Sequence, residues 1–277
     1  MKFSNDLIQN KKISKITFGT ANFFSKKRMK KKLDKGKILE LILKNKVNFI
    51  DTSDQYGNGQ CEKFIGNFLA RNKLKNKILI STKFGQLNSF SPNKIQKSID
   101  DSLKRLKIEK IDIYYFHSGT NREFDNDKLW TILDKNLKQG KIVKLGISLK
   151  TKYLLNNNLY QLKKGFNYGI KVVNLAYNPF FEHAEKIFNN KKFCRYYKFT
   201  SRLSFSSGLI FERNNSKKRK NFFNERQNNM LNEKQNFYLN DFDLATWCLN
   251  KISHRKKIQS TVIGFSNLDQ TKILRKI

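Results

Sequence analysis

The feature that most narrows the fold of this chain is an alternation: apolar runs of strand length trade places with segments of helical periodicity almost from end to end. Ile13 to Gly19, Val47 to Asp51, Ile78 to Thr82, Ile111 to His117, Val143 to Ser148, Lys171 to Tyr177, Tyr197 to Arg202 and Ser260 to Gly264 read as strands. Helical segments fall between them, near Ile38 to Lys44, Phe64 to Leu69, Ile95 to Leu106, Leu129 to Leu137, Tyr153 to Leu162, Glu182 to Asn189, Leu239 to Leu249 and Asn267 to the end. The third is the best defined. Ser91-Pro92 supplies an N-cap and a proline at the first helical position, and Ile95, Ile99, Ser102, Leu103 and Leu106 line one face.

Eight strand and helix pairs with no composition break between them predict an α/β fold, a (β/α)8 TIM barrel rather than an open doubly wound sheet. The length of 277 residues suits one such barrel, which commonly takes about 250, so residues 1–277 are expected to form a single domain. Lys2 to Lys12 leaves room for a short hairpin capping the barrel floor. Residues 211–236 are rich in Lys, Arg, Asn and Glu with few apolar side chains, and read as a mobile polar loop. Such a loop is either a solvated insertion or one that closes over a ligand.

Composition removes several alternatives. With 38% hydrophobic residues and 24 Phe the chain can bury a substantial core, so it is not disordered. Its charge of +35, from 57 Lys and Arg against 22 Asp and Glu, would ordinarily suggest a nucleic-acid or membrane partner. Only 11 of those cations are Arg, however, and the Lys residues are spread throughout beside abundant Asn, Ile and Phe, as in a biased codon pool. A dedicated phosphate surface concentrates Arg on one helix or arm. No specific nucleic-acid partner is therefore expected, only non-specific polyanion binding at low salt. Cys61, Cys194 and Cys248 are odd in number and far apart, which speaks against disulfides and structural zinc and for a reducing compartment. No secretory h-region and no long apolar run is present. The expected protein is cytoplasmic, off the membrane, and a monomer or weak homo-oligomer.

Four residues carry chemistry by their placement. Asp51, Lys83 and His117 each end or closely follow an apolar run, and Tyr56 lies in the turn after Asp51. If those runs are parallel strands, their carboxyl ends share the face where α/β enzymes hold their active sites. A phenol is a poor acid at its usual pKa of about 10, but an adjacent ammonium favours the phenolate and eases proton release. A carboxylate can hold that ammonium, and an imidazole can orient or polarise a carbonyl oxygen. Each residue alone has a plain structural explanation, as a cap, a surface cation, a packed ring or a core imidazole; all four at strand ends point to one site.

The chain resembles the aldo-keto reductase superfamily from about Lys15 onward. The resemblance rests on Phe18-Gly19-Thr20-Ala21-Asn22-Phe23, Asn48-Phe49-Ile50-Asp51-Thr52-Ser53, Tyr56-Gly57-Asn58-Gly59 with Glu62 and Ile65-Gly66, and Ser81-Thr82-Lys83. It continues through Asp112-Ile113-Tyr114-Tyr115-Phe116-His117, Gly140 to Ser148, and Val262-Ile263-Gly264-Phe265-Ser266-Asn267. It implies a (β/α)8 barrel using NADP(H) or NAD(H) without a Rossmann domain, and the chain has no strand followed by G-x-G-x-x-G. It also implies Tyr56 as proton donor, Lys83 and Asp51 as the pair that tunes it, and His117 as the residue that orients the carbonyl of a small substrate, or the corresponding alcohol. On the cofactor side it implies Gly19, Thr20, Ser148, Asn174, Arg202, Leu203, Gly208, Gly264, Ser266, Asn267 and Gln270. Here Leu149, Asn174 and Leu203 replace a common Asn, Gln and Ser, and Ser266 stands near where NADP-preferring members often carry Arg or Lys. Lys272 and Arg275 are nearby in sequence. The alternative is a cofactor-binding scaffold on the same barrel, with little turnover.

Overall fold

Apolar runs buried on both faces belong in a parallel sheet covered by helices, and the computed structural model closes eight such strands into a barrel. It describes residues 1–8, 11–24, 34–85, 90–151, 155–181, 183–213 and 216–277. The barrel strands are β3 (Ile16–Gly19), β4 (Phe49–Asp51), β5 (Leu79–Phe84), β6 (Ile111–His117), β7 (Ile142–Ser148), β8 (Val172–Ala176), β9 (Lys198–Arg202) and β10 (Ile258–Ile263), all parallel, with β10 closing on β3. This is a (β/α)8 barrel. The helices are α1 (Lys35–Lys44), α2 (Gln60–Arg71), α3 (Pro92–Leu106), α4 (Asn121–Phe124), α5 (Asp127–Lys138), α6 (Leu155–Lys164), α7 (His183–Phe188), α8 (Lys191–Tyr196), α9 (Lys217–Phe222), α10 (Glu225–Phe237) and α11 (Asp241–Ser253).

A two-stranded antiparallel hairpin, β1 (Phe3–Ile8) and β2 (Lys11–Ser14), precedes the barrel where a capping segment was expected. Its Leu7, Ile8 and Ile13 pack with Phe49, Leu79, Ile113, Tyr115 and Val172, so the hairpin plugs the barrel interior from its amino-terminal end. The main core lies between strands and helices. One close approach within it depends on the absence of a side chain: a Cβ on Gly66 of α2 would sit 2.3 Å from the Arg105 carbonyl oxygen of α3. In α3, Ile95, Ser98, Ile99, Ser102 and Leu106 are buried, Ser91 is the extended N-cap and Pro92 opens the helix, much as the pattern predicted.

Three expectations are corrected. The strand read over Ile13 to Gly19 breaks at Lys15, with Ser14 ending the hairpin and its hydroxyl donating to the Ile16 carbonyl at 2.6 Å. The terminal helix read from Asn267 is a short 3-10 turn over Asp269–Arg275. Residues 211–236, expected as a polar loop, are largely helical where described, as α9 and α10. The few apolar side chains there converge: Phe223, Leu231 and half-buried Phe222 and Met230 pack with Phe180, Ile210, Leu244 and Cys248 in a satellite core. Arg219 is fully buried, donating to Asn228 Oδ1 at 2.9 Å, Glu212 O at 2.7 Å, Gln235 Oε1 at 3.0 Å and Asn232 Oδ1 at 2.6 Å. Neutral acceptors thus replace its water shell and tie the two helices together. Tyr153 and Glu182, where two further helices were expected to begin, lie outside the described residues.

Candidate active site

Parallel closure puts the carboxyl ends of β4, β5 and β6 side by side, and Asp51, Lys83 and His117 are carried there. Lys83 Nζ donates to Asp51 Oδ2 and to the Thr52 carbonyl oxygen, both at 2.6 Å. Ser81 donates to the other Asp51 oxygen at 2.7 Å. Lys83 also hydrogen-bonds the Tyr56 side chain, and its ammonium lies 4.9 Å from the centre of that ring. Burial opposes the charge on Lys83, but Asp51 and Tyr56 outweigh it and hold the ammonium above the ordinary lysine value. The Tyr56 and His117 rings meet edge to face at 6.2 Å and 84°. Burial, reinforced by the positive charges of Lys83 and Arg202, holds His117 well below the usual imidazole value, so the ring is neutral. All four expected residues therefore share one site.

The residues assigned to a cofactor occupy the other arc of the same rim, along β7, β8, β9, β10 and β3. Ser148 and Asn174 are register partners on β7 and β8, and Ser148 pairs likewise with His117 on β6. Both side chains are buried, and Ser148 Oγ and Asn174 Oδ1 have no hydrogen-bond partner among the described residues. A hydroxyl donor beside an amide-oxygen acceptor is the complement of a carboxamide. Arg202 at the end of β9 donates to Thr151 Oγ1 at 2.8 Å and to the Leu149 carbonyl, latching the β7 loop. Leu203, Ser206, Ser207 and Gly208 then all adopt positive φ, from 47° to 96°, a backbone that turns N–H groups into a concavity suited to an anion. Asn178, which sequence reasoning passed over, secures this loop by donating to Leu203 O at 2.9 Å and Ser206 Oγ at 2.8 Å.

Gly19 and Gly264 meet where β10 closes on β3: a Cβ on Gly264 would lie 3.0 Å from the Gly19 carbonyl oxygen. Thr20 donates to Thr52 Oγ1 at 2.9 Å. Ser266 donates its N–H to Gln270 Oε1 at 2.7 Å, and Gln270 donates its own to Asn267 Oδ1 at 2.9 Å, so the last three candidates form one small loop. Lys272 is committed to Asp269 at 2.7 Å. A cavity of about 460 Å3, lined by Tyr177, Phe180, Met230 and Trp247, lies beside α10 and α11 and touches none of the four tetrad residues. Volume therefore does not locate the chemistry; the converging titratable groups do.

Sequence reasoning also assigned no role to Ser53 and Asp54, which lie within three residues of Tyr56. Asp54 is fully buried, accepts from Ser53 Oγ at 3.0 Å and, among the described residues, has no hydrogen-bond partner at Oδ2. Burial, then the nearby Glu62 carboxylate, pushes its carboxyl up to about 6. A second carboxylate so close in sequence to the candidate proton donor was the available signal.

A model of the aldo/keto reductase family matches residues 15–273. Among curated proteins, the chain is 40% identical over 79 residues to the NADP(+) aldo-keto reductase yakc of Schizosaccharomyces pombe, covering 25% of this chain and 23% of that protein. It is 35% identical over 95 residues to a 6-dehydroglucose reductase of Novosphingobium aromaticivorans, covering 30% and 31%. The matched stretches thus span less than a third of either relative. A holo aldo-keto reductase of Bacillus halodurans superposes with a TM-score of 0.76 at 21% identity, over 100% of this chain and 90% of that one.

Proposed function

Since this chain belongs to the aldo/keto reductase family, we infer that it is an NAD(P)(H)-dependent oxidoreductase that reduces an aldehyde or ketone, or oxidises the corresponding alcohol. The observation that carries this reading is the buried Lys83–Asp51 pair at 2.6 Å, hydrogen-bonded onward to Tyr56 and beside His117 at one end of the barrel. An ammonium committed to a carboxylate, a carbonyl and a phenol is a poor surface cation and a good proton-site organiser.

Ser148 and Asn174 fit a nicotinamide carboxamide, the first as donor to its carbonyl and the second as acceptor from its N–H, which would satisfy both unpartnered atoms. The loop from Leu203 to Gly208 would receive the pyrophosphate. A bound nicotinamide supplies the hydride. The Tyr56 hydroxyl gives its proton to the carbonyl oxygen as negative charge develops there, so one hydride and one proton complete the alcohol. Lys83, donating to the same hydroxyl, stabilises the charge left on the phenol oxygen, and Asp51 fixes Lys83 in place. Neutral His117 orients the oxygen by a hydrogen bond that adds no net charge. Alcohol oxidation runs the same proton in reverse.

The test is binding followed by turnover. NADPH or NADH should quench the fluorescence of Trp130 or Trp247, and one of them should be consumed with a panel of carbonyls that includes oxidised sugars, the class named in the Novosphingobium relative. Failure to bind either at millimolar concentration would overturn the enzyme reading.

A further inference from the structure

A line of side chains runs from the catalytic rim into the barrel wall. Ser53 Oγ lies 3.4 Å from His117 Nδ1 and donates at 3.0 Å to Asp54 Oδ1. It also accepts the Gln55 backbone N–H at 3.2 Å. Ser53 and Asp54 are both fully buried, and Asp54 Oδ2 has no hydrogen-bond partner among the described residues. We propose that Asp54, acting through the Ser53 hydroxyl, is a positioning residue that selects which ring nitrogen of His117 carries the proton. The proposal rests on the reading of His117 as the residue that meets the substrate oxygen.

The proton inventory allows two arrangements. With Asp54 ionised, the Ser53 hydroxyl points its hydrogen at the carboxylate, and its oxygen must accept from both Gln55 N–H and His117 Nδ1–H. His117 Nε2, on the far side of the ring from Ser53, is then an acceptor. With Asp54 protonated, the acid donates to Ser53, whose hydrogen turns to His117 Nδ1, and Nε2 carries the ring proton. Asp54 gains one proton; His117 keeps one and changes where it holds it. Every Ser53 site is used in both states.

The two states differ in what Nε2 offers. A donor at Nε2 suits a carbonyl oxygen, as reduction requires, and an acceptor suits the hydroxyl of an alcohol. The Asp54 carboxyl lies at about 6, so the exchange falls within the physiological range. Of the charged and titratable groups that bear on it, Glu62 of α2 opposes ionisation, Arg105 of α3 favours it, and the Tyr114 hydroxyl of β6 lies near; hydrogen bonds from the Ser53 hydroxyl and the Gln55 backbone N–H also favour ionisation. Glu62 is paired with Arg105 at 2.7 Å, and neither moves the Asp54 carboxyl as much as burial does. On the His117 side, Lys83 and Arg202 suppress the doubly protonated ring, so the equilibrium is between two neutral tautomers.

The chain has three His, so 15N-histidine labelling gives a spectrum assignable with a His117→Asn variant. In the cofactor-free protein, the two His117 ring nitrogens should exchange pyrrole-like and pyridine-like shifts with a midpoint near 6. Asp54→Asn, whose amide can donate as the acid does, should hold Nε2 protonated from about pH 5 to 8. Ser53→Ala should abolish the pH dependence even if Asp54→Asn fails to fold. A single tautomer across that range in the unmodified protein, or the same exchange in either variant, would overturn the proposal. This readout needs no turnover, so absence of carbonyl reduction would leave it standing, and a fixed tautomer would leave carbonyl reduction standing.

Discussion

Lys83→Met removes a cation whose side chain is 1% exposed and leaves Asp51 Oδ2 facing an apolar chain, with Ser81 still donating to Oδ1. Losing one member of a buried, hydrogen-bonded ion pair costs about 3–5 kcal/mol, because the remaining charge stays desolvated. For a chain of this size that is roughly 10 °C in Tm. Asp51→Asn strands the ammonium against the Thr52 carbonyl and should cost a similar amount. Combining the two removes both charges, so the double variant should be more stable than the sum of the single losses by at least ~2 kcal/mol. Urea unfolding at neutral pH, followed by tryptophan fluorescence, measures all three. Turnover should not share this rescue: each variant should fall at least about a hundredfold, since the phenol has lost either its ammonium or the carboxylate that places it. Single losses below about 1 kcal/mol that simply add would mean the pair is solvated and uncoupled, which refutes the reasoning.

Ser148→Ala and Asn174→Leu should each weaken nicotinamide binding about tenfold, the worth of one buried hydrogen bond, as read by fluorescence titration; unchanged affinity would remove these residues from the cofactor side. Arg219→Met should leave several buried acceptors unsatisfied and cost about 3–5 kcal/mol, with hydrogen exchange rising first over α9 and α10. Asp54 carries the clearest pH signature. Its folded carboxyl titrates near 6 against an ordinary 3.8, so its contribution to stability is full below about pH 4 and is lost as pH rises through 6. Asp54→Asn should therefore match the parent near pH 4 and exceed it by roughly 3 kcal/mol at pH 8; equal unfolding curves at pH 8 would contradict that.

The barrel was legible because its signal is carried by strand-length runs such as Ile111 to His117, where six of seven residues are buried and the pattern tolerates errors at either end. The tetrad was legible because strand ends converge in a parallel barrel whatever the loops do. Residues 211–236 were misread because composition averages over what the side chains do: Arg219 counts as solvent-seeking, yet it is fully buried with its guanidinium hydrogen-bonded throughout. A local signal was present in Asn224 and Gln227, which form a reciprocal capping box with bonds of 2.9 and 3.0 Å and mark the start of α10. The nearness of Asp54 to Tyr56 was legible, but nothing in the sequence shows that its carboxylate is buried. Nor could the sequence show that Ser148 and Asn174 would lie abreast with unsatisfied atoms, which follows from the register of β7 on β8.

Tyr56→Phe tests the central claim most directly, because it deletes one oxygen and keeps the ring that packs beside Lys83 and His117. With the cofactor and carbonyl that the parent protein turns over, single-turnover hydride transfer and cofactor affinity should be measured on the same preparation. The account predicts nearly unchanged affinity and transfer slowed by about a hundredfold or more, the loss typical of a positioned acid, with little further loss on adding Lys83→Met. Transfer at close to the parent rate, or a fully additive loss in the double variant, would contradict the assignment of Tyr56 as the proton donor.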